Sequence, residues 1–200
     1  MINRFSFVER VVHWMVGMSF MLLLLTGFAF SYPALFWITT LVGGGPSARV
    51  LHPWMGLMFV VGLAWMFAFW AREMVMTGTD GKWLRAVQYY ATQQHEKVPP
   101  AGKYNAGQKL FFWVQSLLGI LFLLSGVPLW LPESFNSLVV TSMRLVHYGC
   151  ALGGGLFVIV HIYLGTIAYP GTARGMIDGK VTRKWAQLHH PLWHKEHTEL

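Results

Sequence analysis

The sequence predicts an all-α integral membrane protein, a bundle of four transmembrane helices. Three observations predict it. Hydrophobic residues make up 54% of the 200 residues and charged residues only 12%, where a soluble domain carries roughly 25% charged residues. The apolar residues gather into four runs, about 11–30, 51–71, 109–131 and 145–168, and about 20 residues at 1.5 Å each cross the hydrocarbon of a bilayer. No run holds Asp, Glu or Arg in its interior. A chain in lipid must satisfy its own backbone, which leaves the helix as the spanning structure. The chain reads as a single membrane domain over residues 1–200.

Span one is "VVHWMVGMSFMLLLLTGFAF", Val11 to Phe30. It is too long for the apolar core of a cleaved signal and lacks a small-residue cleavage site, so it stays in the membrane. Span two is "LHPWMGLMFVVGLAWMFAFWA", Leu51 to Ala71. A polar loop, 72–108, follows, with turn-rich "TGTDGK" and "VPPAGKYNAG". Span three is "KLFFWVQSLLGILFLLSGVPLWL", Lys109 to Leu131, and span four runs from about Leu145 to Ala168. "YPGTARGMIDGK" then breaks the helix, and a polar tail occupies 169–200.

Four spans leave both termini on one side. That side holds Arg4, Arg10, Arg72, Lys82, Arg85, Lys97, Lys103, Lys109, Arg174, Lys180, Arg183, Lys184 and Lys195. The other holds only Arg49 and Arg144. By the positive-inside rule both termini are cytoplasmic. The net charge of +7 therefore reads as a topology signal, and no nucleic-acid partner is expected. The single cysteine, Cys150, excludes a disulfide framework, a Cys-ligated iron–sulfur cluster and a C-x-x-C-H haem attachment.

Four histidines lie in the spans, and they sort by depth. His147 and His161 are fourteen residues apart in span four, about 21 Å along a helix and about 40° short of four full turns, so they share a face. His13 lies near the cytoplasmic start of span one, at the level of His161. His52 opens span two from the outside, at the level of His147. The pairs are His13/His161 inside and His52/His147 outside. A lone histidine in a span also reads as a hydrogen-bonded packing residue. Four at matched depths favour function, because ionisable groups in lipid are costly. Two neutral imidazoles close both axial positions of a haem iron, an arrangement suited to electron transfer. Two haems at opposite leaflets would carry electrons across the membrane.

Other residues fit that picture but also admit plainer readings. Gly149, Gly153, Gly154 and Gly155 would let a macrocycle approach the backbone, or would serve helix packing through "GCALG". Gly17 and Gly56 each follow a histidine by four residues and share its face. Arg10, Arg49 and Arg144 are candidate partners for haem propionates, or flanking topology charges. His95 reads as solvated. His189, His190, His194 and His197 in "HHPLWHKEH" read as a surface or interfacial cluster rather than a metal site, since no acidic or Cys partner completes one.

The stretches "VERVVHW", "LTGFAF", "RVLHPWMG", "GKYNAGQK", "HYGCALGGGLFVIVHIYLG" and "GMIDGKVTRKWAQLHHPLWH" cover nearly the whole chain in order. On them the chain resembles the cytochrome b (gamma) subunit of respiratory, membrane-bound formate dehydrogenase. "GKYNAGQK" and "GKVTRKWAQLHHP" are the most specific. The resemblance implies two b-type haems, with His13 and His161 on the inner iron and His52 and His147 on the outer iron. It implies a quinone, menaquinone or ubiquinone, reduced near the inner haem on the cytoplasmic side. It also implies an iron–sulfur (beta) subunit in the periplasm that feeds the outer haem, a catalytic (alpha) formate dehydrogenase subunit, and a heterotrimer open to higher oligomers in a bacterial cell inner membrane. The chain itself would not oxidise formate. Asn105 and Gln108 of "GKYNAGQK" are the candidate quinone residues, since an amide can donate to a quinone carbonyl as charge develops. "YNAG" reads equally as a turn and helix entry, since Asn is a good N-cap.

The expected function is that of a membrane anchor and electron conduit. The alternatives are the equivalent di-haem cytochrome b of a nickel–iron hydrogenase or a sulfur-compound reductase, a histidine-lined metal transporter, and a structural anchor whose haem only holds helices together. The absence of Asp and Glu from the spans speaks against the transporter.

Overall fold

The structure is a computed structural model, and it describes residues 1–197; the last three residues of the expected 169–200 tail lie outside the described residues. Strand β1 is Ile2–Asn3. Helix α1, Phe7–Ser31, starts four residues before the apolar run because Ser6 and Glu9 cap it: the Ser6 N–H donates to Glu9 Oε2 at 2.7 Å and the Glu9 N–H to Ser6 Oγ at 3.3 Å. An apolar 3₁₀ segment, Pro33–Val42, leads to α2, Gly45–Trp70. The loop 72–108 is not only turns. Thr77 and Asp80 form a reciprocal cap that starts α3, Gly78–Arg85, and α4, Val87–Ala91, follows. Helix α5 is Ala106–Trp130. Helix α6, Ser137–Tyr163, widens into a π-helical turn over Leu164–Ala168. The tail holds α7, Arg174–Ile177, strand β2, Lys180–Val181, α8, Arg183–His189, and α9, Pro191–Glu196. Among the described residues, four helices are long and apolar enough to cross a membrane.

The chain gathers into two compact units. One is built from Val11–Phe67 and Gln115–Ile159. Its core is Val12, Val16 and Phe20, spaced by four on α1, with Phe59 of α2. The Phe20 and Phe59 rings lie 5.6 Å apart, and Phe122 of α5 meets both edge-on. A Cβ on Gly62 would stand 2.6 Å from Met15 Cε and 2.7 Å from Val16 Cγ2, so α1 and α2 touch closely there. Met18, Val61, Leu117 and Leu156 point outward and are exposed, as a lipid-facing surface requires.

The other unit gathers Met1–Arg10, Ala68–Val114 and the segment from Val160 onward. Strands β1 and β2 pair antiparallel, Ile2 with Val181 and Asn3 with Lys180. Val181, Trp185, Ala186 and Trp193 form its core against Ile2. The N-terminus, the loop and the tail are thus one folded body. This corrects the reading of two of its residues. Arg4, counted above as a topology charge, is buried among Tyr104, Trp185 and Trp193, and it donates to the Lys103 carbonyl and meets His190 Nε2. His190, read above as superficial, is 1% exposed, with Nδ1 2.7 Å from the Gly102 carbonyl. An aromatic cage strips water from the guanidinium, and burial lowers its pKa to about 10, which leaves it cationic.

Candidate functional site

His52 on α2 and His147 on α6 belong to one unit, and their ring centres stand 6.3 Å apart. Each ring is held from behind by a buried hydroxyl. Thr26 Oγ1 of α1 lies 2.7 Å from His52 Nδ1. Ser125 Oγ of α5 lies 2.9 Å from His147 Nδ1. Thr26 is 2% exposed and Ser125 0%.

A b-type haem fits this pair. The two rings stand 6.3 Å apart, tilted by 55°, and would hold the haem iron as a pair of neutral imidazoles. With Nδ1 of each ring already held, Nε2 is the nitrogen left for iron. A Cβ on Gly149 or Gly153 of α6, or on Gly56 of α2, would meet no neighbouring atom within 4 Å among the described residues. The four span-four glycines therefore divide. Gly149 and Gly153 leave room beside the helix. Gly154 and Gly155 serve packing, since their Cβ atoms would meet Phe20 at 3.2 Å and Leu24 at 3.4 Å.

His13 sits on α1 in the same unit as His52 and His147, with its ring 5.4 Å from that of Trp14. It precedes Thr26 by thirteen residues, about 20 Å along the helix. His161 belongs to the other unit, where its ring stacks flat on Phe111 of α5 at 4.5 Å and 9°. Phe111 fixes the plane of that imidazole. His161 follows His147 by fourteen residues, about 21 Å along α6.

Asn105 and Gln108 are brought together as a reciprocal cap on α5. The Gln108 N–H donates to Asn105 Oδ1 at 2.9 Å, and the Asn105 N–H donates to Gln108 Oε1 at 3.0 Å. The cap uses both amide oxygens and leaves both NH₂ groups as donors. Asn105 is buried, and its side chain also meets the Tyr90 hydroxyl. Gln108 lies one turn before Phe111, the ring stacked on His161. Lys109 is buried too, 2.8 Å from Asp80 and 3.0 Å from the Val75 carbonyl. Burial alone would raise the Asp80 carboxyl, but its bonds to Lys109 and Thr77 outweigh that and hold it below its usual value.

His95 is half-buried rather than solvated, packed between Tyr90, Tyr169 and His189 with ring centres 6.1, 6.1 and 5.1 Å away. The residues the sequence reading missed are Thr26 and Ser125. A repeat would have found them: "LLTG" at 24–27 and "LLSG" at 123–126. A second repeat marks the arginines, "RVVH", "RVLH" and "RLVH", which sets Arg10, Arg49 and Arg144 one turn before His13, His52 and His147. Arg49 and Arg144 are exposed. Arg10 donates to the Ile177 carbonyl at 2.6 Å.

Residues 4–179 match the family described as prokaryotic cytochrome b561. The nitrate-inducible formate dehydrogenase cytochrome b556(Fdn) subunit of Escherichia coli is 35% identical over 201 residues, which cover 98% of this chain and 91% of that one. The formate dehydrogenase cytochrome b556(fdo) subunit of the same organism is 32% identical over 98% of this chain and 92% of its own. The formate dehydrogenase cytochrome b556 subunit of Haemophilus influenzae is 30% identical over 94% of this chain and 79% of its own.

Proposed function

The chain belongs to the prokaryotic cytochrome b561 family, and from that premise we propose that it is the membrane cytochrome b subunit of a formate dehydrogenase complex, reducing a quinone on the cytoplasmic side. The observation that carries the reading is the facing pair His52 and His147, with ring centres 6.3 Å apart and both Nδ1 atoms held. These two residues would hold the outer b-type haem, and His13 and His161 the inner one. When bound, the two haems supply one-electron carriers on the two sides of the membrane. Arg49 and Arg144, exposed and one turn from the outer pair, are the cations available to the outer propionates, and Arg10 to the inner.

Donor electrons come from an iron–sulfur (beta) subunit in the periplasm, itself supplied by the catalytic (alpha) subunit. The matches to formate dehydrogenase cytochromes over nearly the whole chain support that donor over a hydrogenase or sulfur-compound reductase. Asn105 and Gln108 present their NH₂ groups to the quinone carbonyl while their oxygens stay in the α5 cap. Gln108 keeps this donor one turn from the ring stacked on His161. Protons drawn from the cytoplasm, with electrons entering from outside, leave the inner membrane charged. The basic residues of the folded polar unit support cytoplasmic termini by the positive-inside rule.

The test is a reduced-minus-oxidised visible spectrum of the purified complex, with a haem count and identification of the co-purifying subunits. Two haems b per chain, all removed by acidic acetone, and iron–sulfur and formate dehydrogenase partners are expected. A count near one, or haem left on the polypeptide, overturns the reading.

A further inference from the structure

Thr26 and Ser125 have one hydroxyl hydrogen each and three neighbours each, two carbonyls of their own helix and one ring nitrogen. Thr26 Oγ1 lies 2.8 Å from the Leu22 carbonyl, four residues back on its own helix, and Ser125 Oγ lies 2.6 Å from the Leu121 carbonyl. A carbonyl has no hydrogen to give, so each hydroxyl donates to it. The hydroxyl oxygen then offers a lone pair to the ring nitrogen, His52 Nδ1 at 2.7 Å or His147 Nδ1 at 2.9 Å. With the hydroxyl hydrogen on the carbonyl of its own helix, the tautomer that completes the contact is the one with the ring hydrogen on Nδ1. That tautomer leaves the Nε2 lone pair bare, the form that ligates iron.

We propose that Thr26 and Ser125 are positioning residues for the outer centre: their hydroxyls fix the tautomer and orientation of His52 and His147, and so set that centre's reduction potential. The proposal rests on the reading that these two histidines share a haem.

Helix packing alone accounts for less. A hydroxyl in an apolar helix ordinarily bonds back to its own backbone, and Ser19 does so with the Met15 and Val16 carbonyls at 2.8 and 3.0 Å. Thr26 and Ser125 go further, because each also meets a ring nitrogen. They also stand in equivalent places, in "LLTG" and "LLSG". Each is on the helix just before the one that carries its histidine. A glycine follows each, and a Cβ at Gly27 or Gly126 would sit 3.6 Å from Cε1 of the same ring. The hydroxyl and the glycine together seat the imidazole edge, and the arrangement is built twice.

The choice of a hydroxyl has a chemical consequence. A carboxylate at Nδ1 would pull the ring proton and push negative charge onto the ligand, which favours the oxidised iron. A hydroxyl is neutral and accepts more weakly than an ionised group. It raises ligand basicity less than a carboxylate and more than no partner at all. Taking it away lowers the electron density at Nε2 and raises the potential of that centre.

The experiment is a redox titration of membranes holding the intact complex, with low-temperature electron paramagnetic resonance of the oxidised haems. The variants are Thr26→Val, which keeps the shape and removes the oxygen, together with Ser125→Ala, Thr26→Ser and His52→Ala. Thr26→Val and Ser125→Ala are each expected to raise the potential of one centre only and to weaken retention of that haem about tenfold. Thr26→Ser is expected to restore the native potential and spectrum. Ser125→Ala stands as an independent test if Thr26→Val fails to assemble. Native potentials and spectra in both oxygen-deleted variants would leave the hydroxyls as ordinary back-bonding groups and end the proposal. A shift as large in Thr26→Ser as in Thr26→Val, or equal shifts of both centres, points to general packing and also overturns it. If His52→Ala leaves both haem signals in place, the underlying haem assignment fails, and the proposal falls with it.

Discussion

In the unit built from Val11–Phe67 and Gln115–Ile159, a buried hydroxyl finds its partner one turn away. Ser19, Thr26 and Ser125 all donate to the carbonyl four residues back. In the other unit the partners are far apart in sequence. Arg4 bonds to Lys103 and His190, 99 and 186 residues along the chain. Tyr169 donates to the Tyr90 carbonyl at 2.6 Å, and Lys109 reaches Asp80 at 2.8 Å. The solvent each unit meets accounts for the contrast. A helix in lipid has no water to satisfy a stray polar group, so it satisfies its own. The polar unit can use charges and long-range bonds, because water covers whatever they leave exposed. The buried polar groups of the bundle are a few imidazoles and hydroxyls. The polar unit depends on its buried ions.

The largest expected effect comes from the histidines, one in each unit. His52→Ala should remove the outer haem and stop donor-to-quinone electron flow, while the inner haem survives. His161→Ala should do the reverse. A potentiometric titration of haem in membranes reads both. Either change erasing both potentials while the chain stays inserted would defeat the pairing by depth. Next in size is Asp80→Ala, on the polar side. Leaving Lys109 buried without its anion costs about 3 kcal/mol. Asp80→Asn should cost less, because it keeps an acceptor for Thr77 and Lys109. Limited proteolysis of the loop 72–108 and thermal unfolding should report the loss, with the outer haem spectrum unmoved.

The third prediction uses pH. Burial, Arg4 and the neighbouring His189 hold His190 well below its ordinary 6.5, although its bond to the Gly102 carbonyl opposes them. Burial, His95 and Arg4 likewise hold His189 down to about 4. Folded, both stay neutral; unfolded, both take up a proton below about 6.5. The unfolded chain binds more protons in that window, so stability is complete above about 6.5 and falls as the pH drops toward 4. The slope for His190 alone approaches about 1.4 kcal/mol per pH unit. Hydrogen exchange over residues 180–197 should quicken between pH 6.5 and 4. In His190→Gln, which has no such titration, that added sensitivity should shrink.

The two units were also unequally legible in the sequence. The spans follow from apolar runs of bilayer length, and only their ends moved. Ser6 with Glu9, and Asn105 with Gln108, add capped turns ahead of the apolar residues, so α1 and α5 begin at Phe7 and Ala106. The rings that depth pairs on the outer side, His52 and His147, do stand together. Thr26 and Ser125 stayed hidden because a hydroxyl in an apolar helix is ordinarily satisfied by its own backbone. The polar unit was the harder part. "TGTDGK" reads as a turn, yet the same Thr77 and Asp80 cap a helix. Arg4 and His190 meet only through a fold whose contacts span nearly the whole chain, and no local pattern marks them. Charge counting fixed a side for Arg4 but gave no hint that the guanidinium is buried.

The smallest expected effect sharpens the comparison where the polar unit meets chemistry, at Asn105. Two roles are now separable there. As the cap of α5, Asn105 needs only its Oδ1, which accepts the Gln108 N–H at 2.9 Å. As the donor to a quinone carbonyl it needs its NH₂ group. Asn105→Ala removes both and should cost about 1 kcal/mol of helix stability for the cap. Asn105→Ser keeps a capping oxygen and removes the NH₂ donor, and the Ser hydroxyl is one bond shorter and engaged by the cap. If the donor role is real, quinone reduction should fall about tenfold in both variants, equivalent to about 1.4 kcal/mol of lost transition-state stabilisation. Electron delivery to an artificial dye that bypasses the quinone pocket should stay native in Asn105→Ser, with both haem signals intact. If only the cap matters, Asn105→Ser should turn over quinone like the native protein, and any deficit in Asn105→Ala should track its loss of stability. Native quinone turnover in both variants would leave Asn105 to the helix and move the pocket toward other donors near the ring pair Phe111 and His161.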